Sequence, residues 1–318
     1  MSAEKIPDVS VVMSVYNGAA ALRTTLDSVL AQDDCDFEFV VVNDGSTDDS
    51  GSILDAYAAR DSRLRVIHQA NTGRTPALIR GCAEASGELI ARQDCGDLSL
   101  SGRLVRQLEL LSADRTLSFV SCRTRYATVD GEPLYDVKGT GRALQPTSVI
   151  DLLQPFGVLD GPAHHGSVML RRSSYEHVGG YRPEFYYGQD WDLWYRLADY
   201  GKFQMLDEPL YEARIGVNDI SMNNKARQEL IGQQSLRALQ LRKAGLSDQP
   251  ALDEAMKIRP GAHRSRGRGG VSQGCYFIGE CLRRNGNRAA ALRYLKRAVQ
   301  ENPLHLKSWV RLLQTRFG

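Results

Sequence analysis

Short apolar runs alternate with helix-like segments in the first third of the chain. The apolar runs, each of a length suited to one buried strand, are residues 9–15, 37–42, 64–68 and 88–92. The segments with apolar residues at helical spacing are 20–30, 48–59 and 76–85. This βαβαβαβ order predicts an open α/β fold whose first half is a parallel sheet covered by helices.

The pattern becomes mixed after residue 100 and purely helical after residue 224. Helices are predicted over 101–111 and 190–200, and strands over 118–126, 168–171 and 203–206. Residues 259–270 are rich in Arg, Gly and Pro, which predicts a linker. We therefore expect four regions, namely an α/β domain (1–224), a helical extension (225–258), the linker (259–270) and a helical hairpin (271–318).

Two polar loops follow the first two predicted strands, at residues 14–18 and 43–47. The carboxyl ends of neighbouring parallel strands meet at one edge of such a sheet, where doubly wound proteins bind ligands. Asp44 could accept hydrogen bonds from a ligand there, or cap the next helix. Tyr16 could stack on a base, or be an ordinary core or rim aromatic. The two loops together predict a small-molecule site.

The composition predicts a protein without a membrane span. No stretch reaches the roughly 18 consecutive apolar residues that a spanning helix needs. Residues 1–8 are too few and too polar for a secretory signal. We expect a cytoplasmic protein, with a peripheral position at the inner membrane face as an option. The six cysteines form no Cys-x-x-Cys pair and no zinc-like cluster, so we expect reduced thiols.

The net charge of +2 hides an uneven distribution. Residues 259–318 hold 13 Lys and Arg against 2 Asp and Glu (+11), whereas residues 1–258 hold 27 against 36 (−9). A basic segment of this kind is usually a solvated helical face, and otherwise meets anionic lipid or another partner. Nucleic acid is the weaker option, because aromatic side chains do not alternate with the arginines as a base-stacking surface requires.

The last segment matches the tetratricopeptide pattern. The matching positions are Ile278, Gly279, Leu282, Gly286, Ala291, Leu295, Ala298 and Pro303, and Trp309 lies where a second repeat would begin. One and a half repeats cannot bury their own apolar faces. We therefore expect this tetratricopeptide-like hairpin to pack on the α/β domain, on a second chain or on a partner.

Asp94 and Asp97 follow the fourth predicted strand, with Cys95 and Gly96 between them. Two carboxylates this close repel each other unless a cation or a sugar hydroxyl lies between them. A divalent metal that holds a diphosphate would suit this position, because hard cations prefer oxygen ligands. The alternative is an ordinary acidic turn before the next helix.

A second acidic pair, Asp190 and Asp192, stands among aromatic residues at the start of the helix predicted over 190–200. The helix dipole lowers the pKa of an acid at this position and crowding by apolar rings raises it, so the balance can leave a usable general base. One of the two acids could be only a cap. Because Asp190 precedes the helical run, we expect it to be the one that projects into a cleft.

Taken together, these residues resemble the family 2 glycosyltransferases, an inverting group with the nucleotide-diphospho-sugar binding fold called GT-A. The similar segments, in the family's order, are VSVVMSVYNG, VVNDGSTDDS, NTGRTPALIRG, ASGELIARQDCGD, HHGSVMLRRSSYEHVGGY, GQDWDLWYRLADYG and ARIGVNDIS. The resemblance implies an open mixed sheet with a Rossmann-like first half. It also implies transfer of a sugar from a nucleotide-diphospho-sugar, which we expect to be UDP-linked, in polysaccharide, glycolipid or glycoprotein glycan assembly.

The resemblance further implies which residues hold the donor. These are Ser14, Tyr16, Asp44, Arg74, Asp94 and Arg214. Within this set Asp44 would meet the base, Tyr16 its face, and Arg214 the diphosphate, a role that suits the forked guanidinium. Arg74 would contribute nucleotide or phosphate contacts, and Asp94 would meet the ribose or the sugar.

On the acceptor side, the resemblance implies that Asp190 deprotonates the attacking hydroxyl in a single in-line displacement. His164 and His165 precede a strand where the family often has one His that faces the acceptor, although either could be a packed or surface residue. The acceptor, which we expect to be a saccharide or a lipid-linked or protein glycan, would be selected by residues 129–165.

Two positions depart from the family's pattern. The metal motif usually reads Asp-x-Asp, and Gly96 stands at its third position, so either Asp97 joins Asp94 in holding Mg²⁺ or Mn²⁺ or metal binding is altered. Gln189 replaces the acid that usually precedes Asp190, which should leave Asp190 more acidic than in a paired carboxylate site.

These departures keep another class of function open, a nucleotide-sugar-binding scaffold that has lost activity and recruits a partner through its helical tail. A nucleotidyltransferase would share the sheet architecture. Residues 14–18, however, lack the Gly-rich, Lys- or Arg-bearing loop that such enzymes use for triphosphates.

Overall fold

A computed structural model describes residues 6–137, 161–217, 225–259 and 268–317. The strands are β1 (Val9–Val15), β2 (Phe37–Asp44), β3 (Leu64–Gln69), β4 (Leu89–Arg92), β5 (Leu98–Ser99), β6 (Leu117–Thr128), β7 (Pro133–Val137), β8 (Met169–Arg171) and β9 (Lys202–Ile215). The α-helices are α1 (Ala19–Leu30), α2 (Ser50–Ala58), α3 (Arg74–Glu84), α4 (Arg103–Ala113), α5 (Arg172–His177), α6 (Gln189–Tyr200), α7 (Lys225–Lys243), α8 (Gln249–Lys257), α9 (Arg268–Arg284), α10 (Arg288–Glu301) and α11 (Leu306–Phe317). Residues 138–160 of the expected acceptor region and 260–267 of the expected linker lie outside the described residues.

The described strands form one nine-stranded sheet in the order β3-β2-β1-β4-β8-β6-β9-β5, with β7 paired to β6. β1 pairs in parallel with β2 and β4, and β2 pairs in parallel with β3. β8 runs antiparallel to both β4 and β6, so the strand direction changes at the centre of the sheet. The predicted open α/β fold with a parallel first half and a mixed second half is confirmed.

The last strand is longer than the apolar pattern predicted. β9 covers 14 residues, whereas the pattern suggested only residues 203–206. Polar residues and a proline at 207–209 interrupt the alternation, and shifts in the pairing of β6 with β9 accommodate them. The extra length brings Tyr211 and Arg214 beside the residues that follow β4.

Helices cover both faces of the parallel half of the sheet. Val11 and Met13 of β1 belong to an apolar cluster with α1, α2 and α4, whereas Val12 belongs to a second cluster with α3 and α6. This alternation follows from the two-residue period of a strand that is buried on both faces. The loops at the carboxyl edge are thereby held on a rigid, two-sided core.

The C-terminal helices pack on the α/β domain. Ile231 of α7 and Leu252 of α8 form a buried cluster with Phe185, just before α6. Helices α9 and α10 pack on the β6–β7 hairpin, where Leu134 joins Ile278 of α9. Of the three possibilities expected for the helical hairpin, packing on the α/β domain is the one observed. Across the described helices, none is both long and apolar enough to cross a bilayer.

Candidate active site

Hydrogen bonds join the loops after β1 and β2 side by side. Asn17 has a left-handed φ of 51°, and its Oδ1 accepts a hydrogen bond from the Thr47 N–H at 2.8 Å. The Asn17 N–H donates to Ser46 Oγ at 3.0 Å. Ser14 is half-buried at the end of β1, and Tyr16 is 53% exposed. The Tyr16 ring therefore stands at the rim of the site, where a base could stack on it.

Asp44 ends β2 and is buried, and its carboxylate binds the loop between β3 and α3. Oδ1 accepts hydrogen bonds from Gln69 Nε2 and the Thr72 N–H, both at 2.8 Å, and Oδ2 accepts one from the Gly73 N–H at 2.9 Å. Asp44 therefore does not cap α2, which was the alternative considered from the sequence. Its contacts instead fix the start of α3 against the carboxyl edge of the sheet.

Arg74 is the first residue of α3 and is exposed. The Arg74 side chain makes no hydrogen bond or ion pair with another residue in the part of the chain that the structure describes. Its positive charge nevertheless contributes to lowering the pKa of Asp94 and the pKa of His165 across the site. A guanidinium in this position is available to bind an anionic ligand at the carboxyl edge of the sheet.

Asp94 and Asp97 bracket a tight turn after β4. The Asp97 N–H donates to the Asp94 carbonyl at 3.2 Å, and Gly96 between them has a φ of 102°, in the region that glycine favours. The Tyr211 hydroxyl binds both ends of the turn, because it donates to Asp97 Oδ2 at 2.9 Å and accepts from the Asp94 N–H at 3.2 Å. The turn places Asp97 where it can act together with Asp94.

His164 completes a group of three candidate metal ligands. One ring nitrogen of His164 and one carboxylate oxygen each from Asp94 and Asp97 all lie within 4.8 Å of one another. The imidazole stacks on Tyr211 with a centroid distance of 5.4 Å, and its Nδ1 is 3.6 Å from Asp97 Oδ2. Two carboxylates and an imidazole form a donor set that fits a divalent cation. The sequence drew attention to His164 for the acceptor side and did not include it among the metal ligands.

The pKa values of the two carboxylates move in opposite directions. Burial raises the pKa of Asp97 to about 6, against the opposing effect of His164. Burial acts in the same direction on Asp94, but the Arg92 guanidinium, 2.9 Å away, together with His165, Arg74 and His164, outweighs it and holds the pKa of Asp94 well below its ordinary value. Asp97 is therefore the carboxylate that takes up a proton first as the pH falls, and a cation bound beside it would favour its anionic form.

Two fully buried arginines support the turn from inside the protein. Arg92 donates to Asp94 Oδ1. Arg103 donates to the carbonyls of Arg92 and Gly166, both at 2.6 Å, and its guanidinium lies 4.8 Å from the centre of the Tyr211 ring. Sequence reasoning missed both, because an arginine at the end of a strand or the start of a helix usually faces solvent. Arg92 at the end of an otherwise apolar run was the available signal.

Asp190 and Asp192 occupy different environments on α6. Asp190 is partly exposed in the first turn, and burial raises its pKa above the ordinary value, with the nearby Asp94 charge adding to the effect. Asp192 is fully buried and forms an ion pair with Arg196 at 2.6 Å. Of the two, Asp190 is therefore the acid that can reach a ligand and that lies within electrostatic range of the Asp94 turn.

Comparison with known proteins identifies the group to which this architecture belongs. The family model described as glycosyl transferase family 2 matches residues 10–179. The putative glycosyltransferase EpsE of Bacillus subtilis (strain 168) is 32% identical over 214 residues, which cover 65% of this chain and 73% of that protein. The chain belongs to glycosyl transferase family 2.

Solved structures support the fold of this glycosyltransferase. S. aureus TarS (residues 1–349, in complex with UDP) aligns over 97% of this chain and 88% of that one, with a TM-score of 0.55 and 16% identity. The mannosyltransferase PcManGT from Pyrobaculum calidifontis, in complex with GDP-Man and Mn²⁺, aligns over 98% and 88%, with a TM-score of 0.54 and 19% identity. At these identities the likeness concerns the fold, which is GT-A.

In this glycosyltransferase the main-chain N–H of Arg214 stabilises the turn between Asp94 and Asp97. Its N–H donates to Asp97 Oδ1 at 2.9 Å. Its guanidinium donates to Glu212 Oε1 at 3.1 Å and to the Val129 carbonyl at 2.9 Å. A diphosphate contact, the role expected from the resemblance, would have to be made by the N–H groups of this side chain that those partners do not use, whereas the Arg74 guanidinium is fully available.

Proposed function

We propose that this glycosyltransferase moves a sugar from a UDP-sugar to an acceptor hydroxyl with inversion of configuration. The observation that carries the proposal is that candidate groups for donor binding, metal binding and proton abstraction meet at one edge of the sheet. The groups are the exposed Tyr16 and Arg74, the cluster of Asp94, Asp97 and His164, and Asp190.

The nucleotide would lie across the loops after β1 and β2. Tyr16 offers an exposed ring for the base, and Asp44, whose carboxylate already orders Thr72 and Gly73, borders the same edge. Arg74 follows directly and would pair with the phosphates. UDP is the nucleotide we expect, which is also the ligand of the TarS structure, whereas PcManGT holds GDP-Man.

Asp94, Asp97 and His164 would hold a divalent cation, Mg²⁺ or Mn²⁺. Bound there, the cation would supply positive charge to the diphosphate as it leaves. The protein's own part is to fix the ligands, which it does through Tyr211 and the Arg214 N–H. In this arrangement Asp97 would replace the carboxylate that Gly96 cannot provide.

Asp190 would accept the proton of the acceptor hydroxyl as that oxygen attacks the anomeric carbon. A single displacement from the face opposite the diphosphate inverts the configuration and needs no covalent intermediate. The acceptor would be a saccharide or a lipid-linked or protein glycan, and the basic C-terminal helices would hold the enzyme near it.

The test is a turnover assay on the purified chain. Release of nucleoside diphosphate would be measured with a panel of UDP- and GDP-sugars, saccharide acceptors and either Mg²⁺ or Mn²⁺, and NMR of the product would report its anomeric configuration. We expect metal-dependent release of UDP and an inverted product. Tight donor binding without turnover on any acceptor would support the inactive scaffold, which the comparisons do not favour, and a retained configuration would refute the single displacement.

A further inference from the structure

Helix α11 presents its apolar face to solvent. Leu306, Val310, Leu313 and Phe317 are 74%, 51%, 50% and 76% exposed. Their spacing places them within an arc of about 60° on the helix surface. Leu304, in the turn before the helix, is also exposed and extends the apolar surface.

The opposite face of α11 is the one that is buried, and it carries small polar residues. Ser308 and Thr315 are buried where α11 packs on α9 and α10. Thr315 donates to the Arg311 carbonyl at 2.7 Å, and Ser308 shares a hydrogen bond with His305 Nδ1 at 2.6 Å. A surface helix normally has the reverse arrangement, with its apolar face toward the core. Within the described residues, nothing covers the apolar face of α11.

Basic side chains flank this apolar face. Lys307 lies on one side of it, and Arg316, whose guanidinium is 5.3 Å from the Phe317 ring centre, lies on the other, whereas Arg311 pairs with Glu280 of α9 at 3.3 Å. They belong to the segment 259–318 with its balance of +11. Apolar and aromatic residues on one face with Lys and Arg at its borders are typical of helices that lie in a membrane interface.

The positive charge of residues 259–318 favours one of three possible occupants of the apolar face of α11, which are a second copy of the chain, a protein partner and a lipid bilayer. A second copy of the chain that packed through the same segment would bring another +11 against it, which opposes a symmetric dimer through this face. A protein partner would need an apolar groove, since a helix packed on one side projects as a ridge. A bilayer that contains anionic lipid offers both an apolar interior and negative charge at its surface.

We propose that the face formed by Leu306, Val310, Leu313 and Phe317 inserts shallowly into the surface of an anionic bilayer, while Lys307 and Arg316 meet the headgroups. This inference goes beyond the sugar-transfer chemistry and does not depend on it. It would keep the enzyme at a membrane surface without a spanning helix.

Co-sedimentation of the full chain with vesicles tests this proposal. We expect binding to phosphatidylglycerol-containing vesicles, weaker binding to pure phosphatidylcholine, and release at high salt. The double variant Leu313→Gln/Phe317→Gln should reduce partitioning by about tenfold or more. Leu246→Gln, at an exposed leucine between α7 and α8, is the matched control and should bind as the parent does.

Three further readouts complete the test. Thermal unfolding should be unchanged in the double variant, since both side chains are exposed, and UDP release with a soluble acceptor should also be unchanged. Equal binding of parent and double variant would overturn the proposal. So would a concentration-dependent dimer, seen by analytical ultracentrifugation, that the same double substitution abolishes, because the occupant would then be a second copy.

Discussion

Asp190 and Asp192 are two residues apart on α6 and have opposite surroundings. Asp190 lies within electrostatic range of Asp94 and makes no ion pair in the described part of the chain, whereas Asp192 is enclosed with Arg196 and Arg182. A side chain's chemistry here depends on which helix face it occupies. This contrast provides a matched pair of substitutions.

Asp190→Asn should abolish transfer and leave donor affinity within about twofold, because it removes a base and preserves the shape of the side chain. Transfer rate and donor binding by calorimetry check this. Asp192→Asn should instead lower thermal stability, because it leaves Arg196 buried without its partner. Unchanged turnover in Asp190→Asn would refute its role.

The raised pKa of Asp190 predicts the acidic limb of the pH profile. A general base works only when it is deprotonated, so turnover should fall as the pH drops through the pKa of Asp190. Because burial raises that pKa, the fall should begin at a higher pH than for an ordinary aspartate. A rate that stays level down to the ordinary aspartate range would contradict this prediction.

Asp97→Asn and His164→Gln should each weaken Mn²⁺ binding by about tenfold or more, because each removes a candidate ligand. Electron paramagnetic resonance of free Mn²⁺, measured without donor, checks this independently of activity. Cys95→Ala, within the same turn, is the control and should have little effect. Equal effects of all three variants would mean that the turn matters only for folding.

At the scale of secondary-structure elements, α7 and α8 support the entrance to α6. Gly188, which precedes α6, has a φ of 61°, and a Cβ there would lie 2.5 Å from Ile231 of α7. Arg182 binds Asp248 at the start of α8 at 2.7 Å and lies 3.8 Å from Asp192 of α6. The helical extension therefore positions the segment that carries Asp190.

Gly188→Ala should lower both stability and turnover, because it combines a strained backbone with a clash against Ile231. Gly179→Ala is the matched control, since Gly179 has a φ of 78° and a Cβ at that position would have no neighbouring atom within 4 Å. We expect Gly188→Ala to cost about 1–3 kcal/mol more than the control. Chemical denaturation measures the difference, and adding Ile231→Ala should restore part of the turnover. No restoration would mean that the backbone strain alone matters.

At the scale of the whole molecule, the C-terminal helices are part of one packed body. Leu134 of β7 is buried against Ile278 and Leu282 of α9, and Asn285 donates to the Leu134 carbonyl at 2.6 Å. Deleting the tail would therefore uncover core side chains as well as remove basic charge. Point substitutions on α11 separate these two effects.

Leu134→Ala should destabilise the docking of α9 and α10 by about 2–4 kcal/mol, as expected for a buried leucine. Hydrogen exchange should show faster exchange in α9 and α10, while β1 and β2 stay protected. Val129→Ala, at an exposed position near the same hairpin, should change neither. Equal protection of α9 in Leu134→Ala and the parent would show that this contact does not hold the helices.

The sequence by itself determined the parallel half of the sheet and its two ligand loops. Apolar runs such as Val9–Val15 are long and regular, so local pattern and tertiary burial agree on them. It also singled out Asp94, Asp97 and Asp190, because they lie after a buried strand or at a helix start within segments that resemble the family's motifs. The predicted extent of β9, residues 203–206, was wrong, because pairing with β6 overrides the interrupted pattern at residues 207–209.

Only the tertiary structure decided which of these residues act together. His164 is 67 residues from Asp97, and no local pattern could bring its ring within reach of that carboxylate. The contact of the Arg214 guanidinium with the Val129 carbonyl, outside β9, likewise depends on a segment distant in the sequence. The reason is physical: strand periodicity is encoded locally, whereas burial, charge and ligand geometry are properties of segments that meet only when the chain folds.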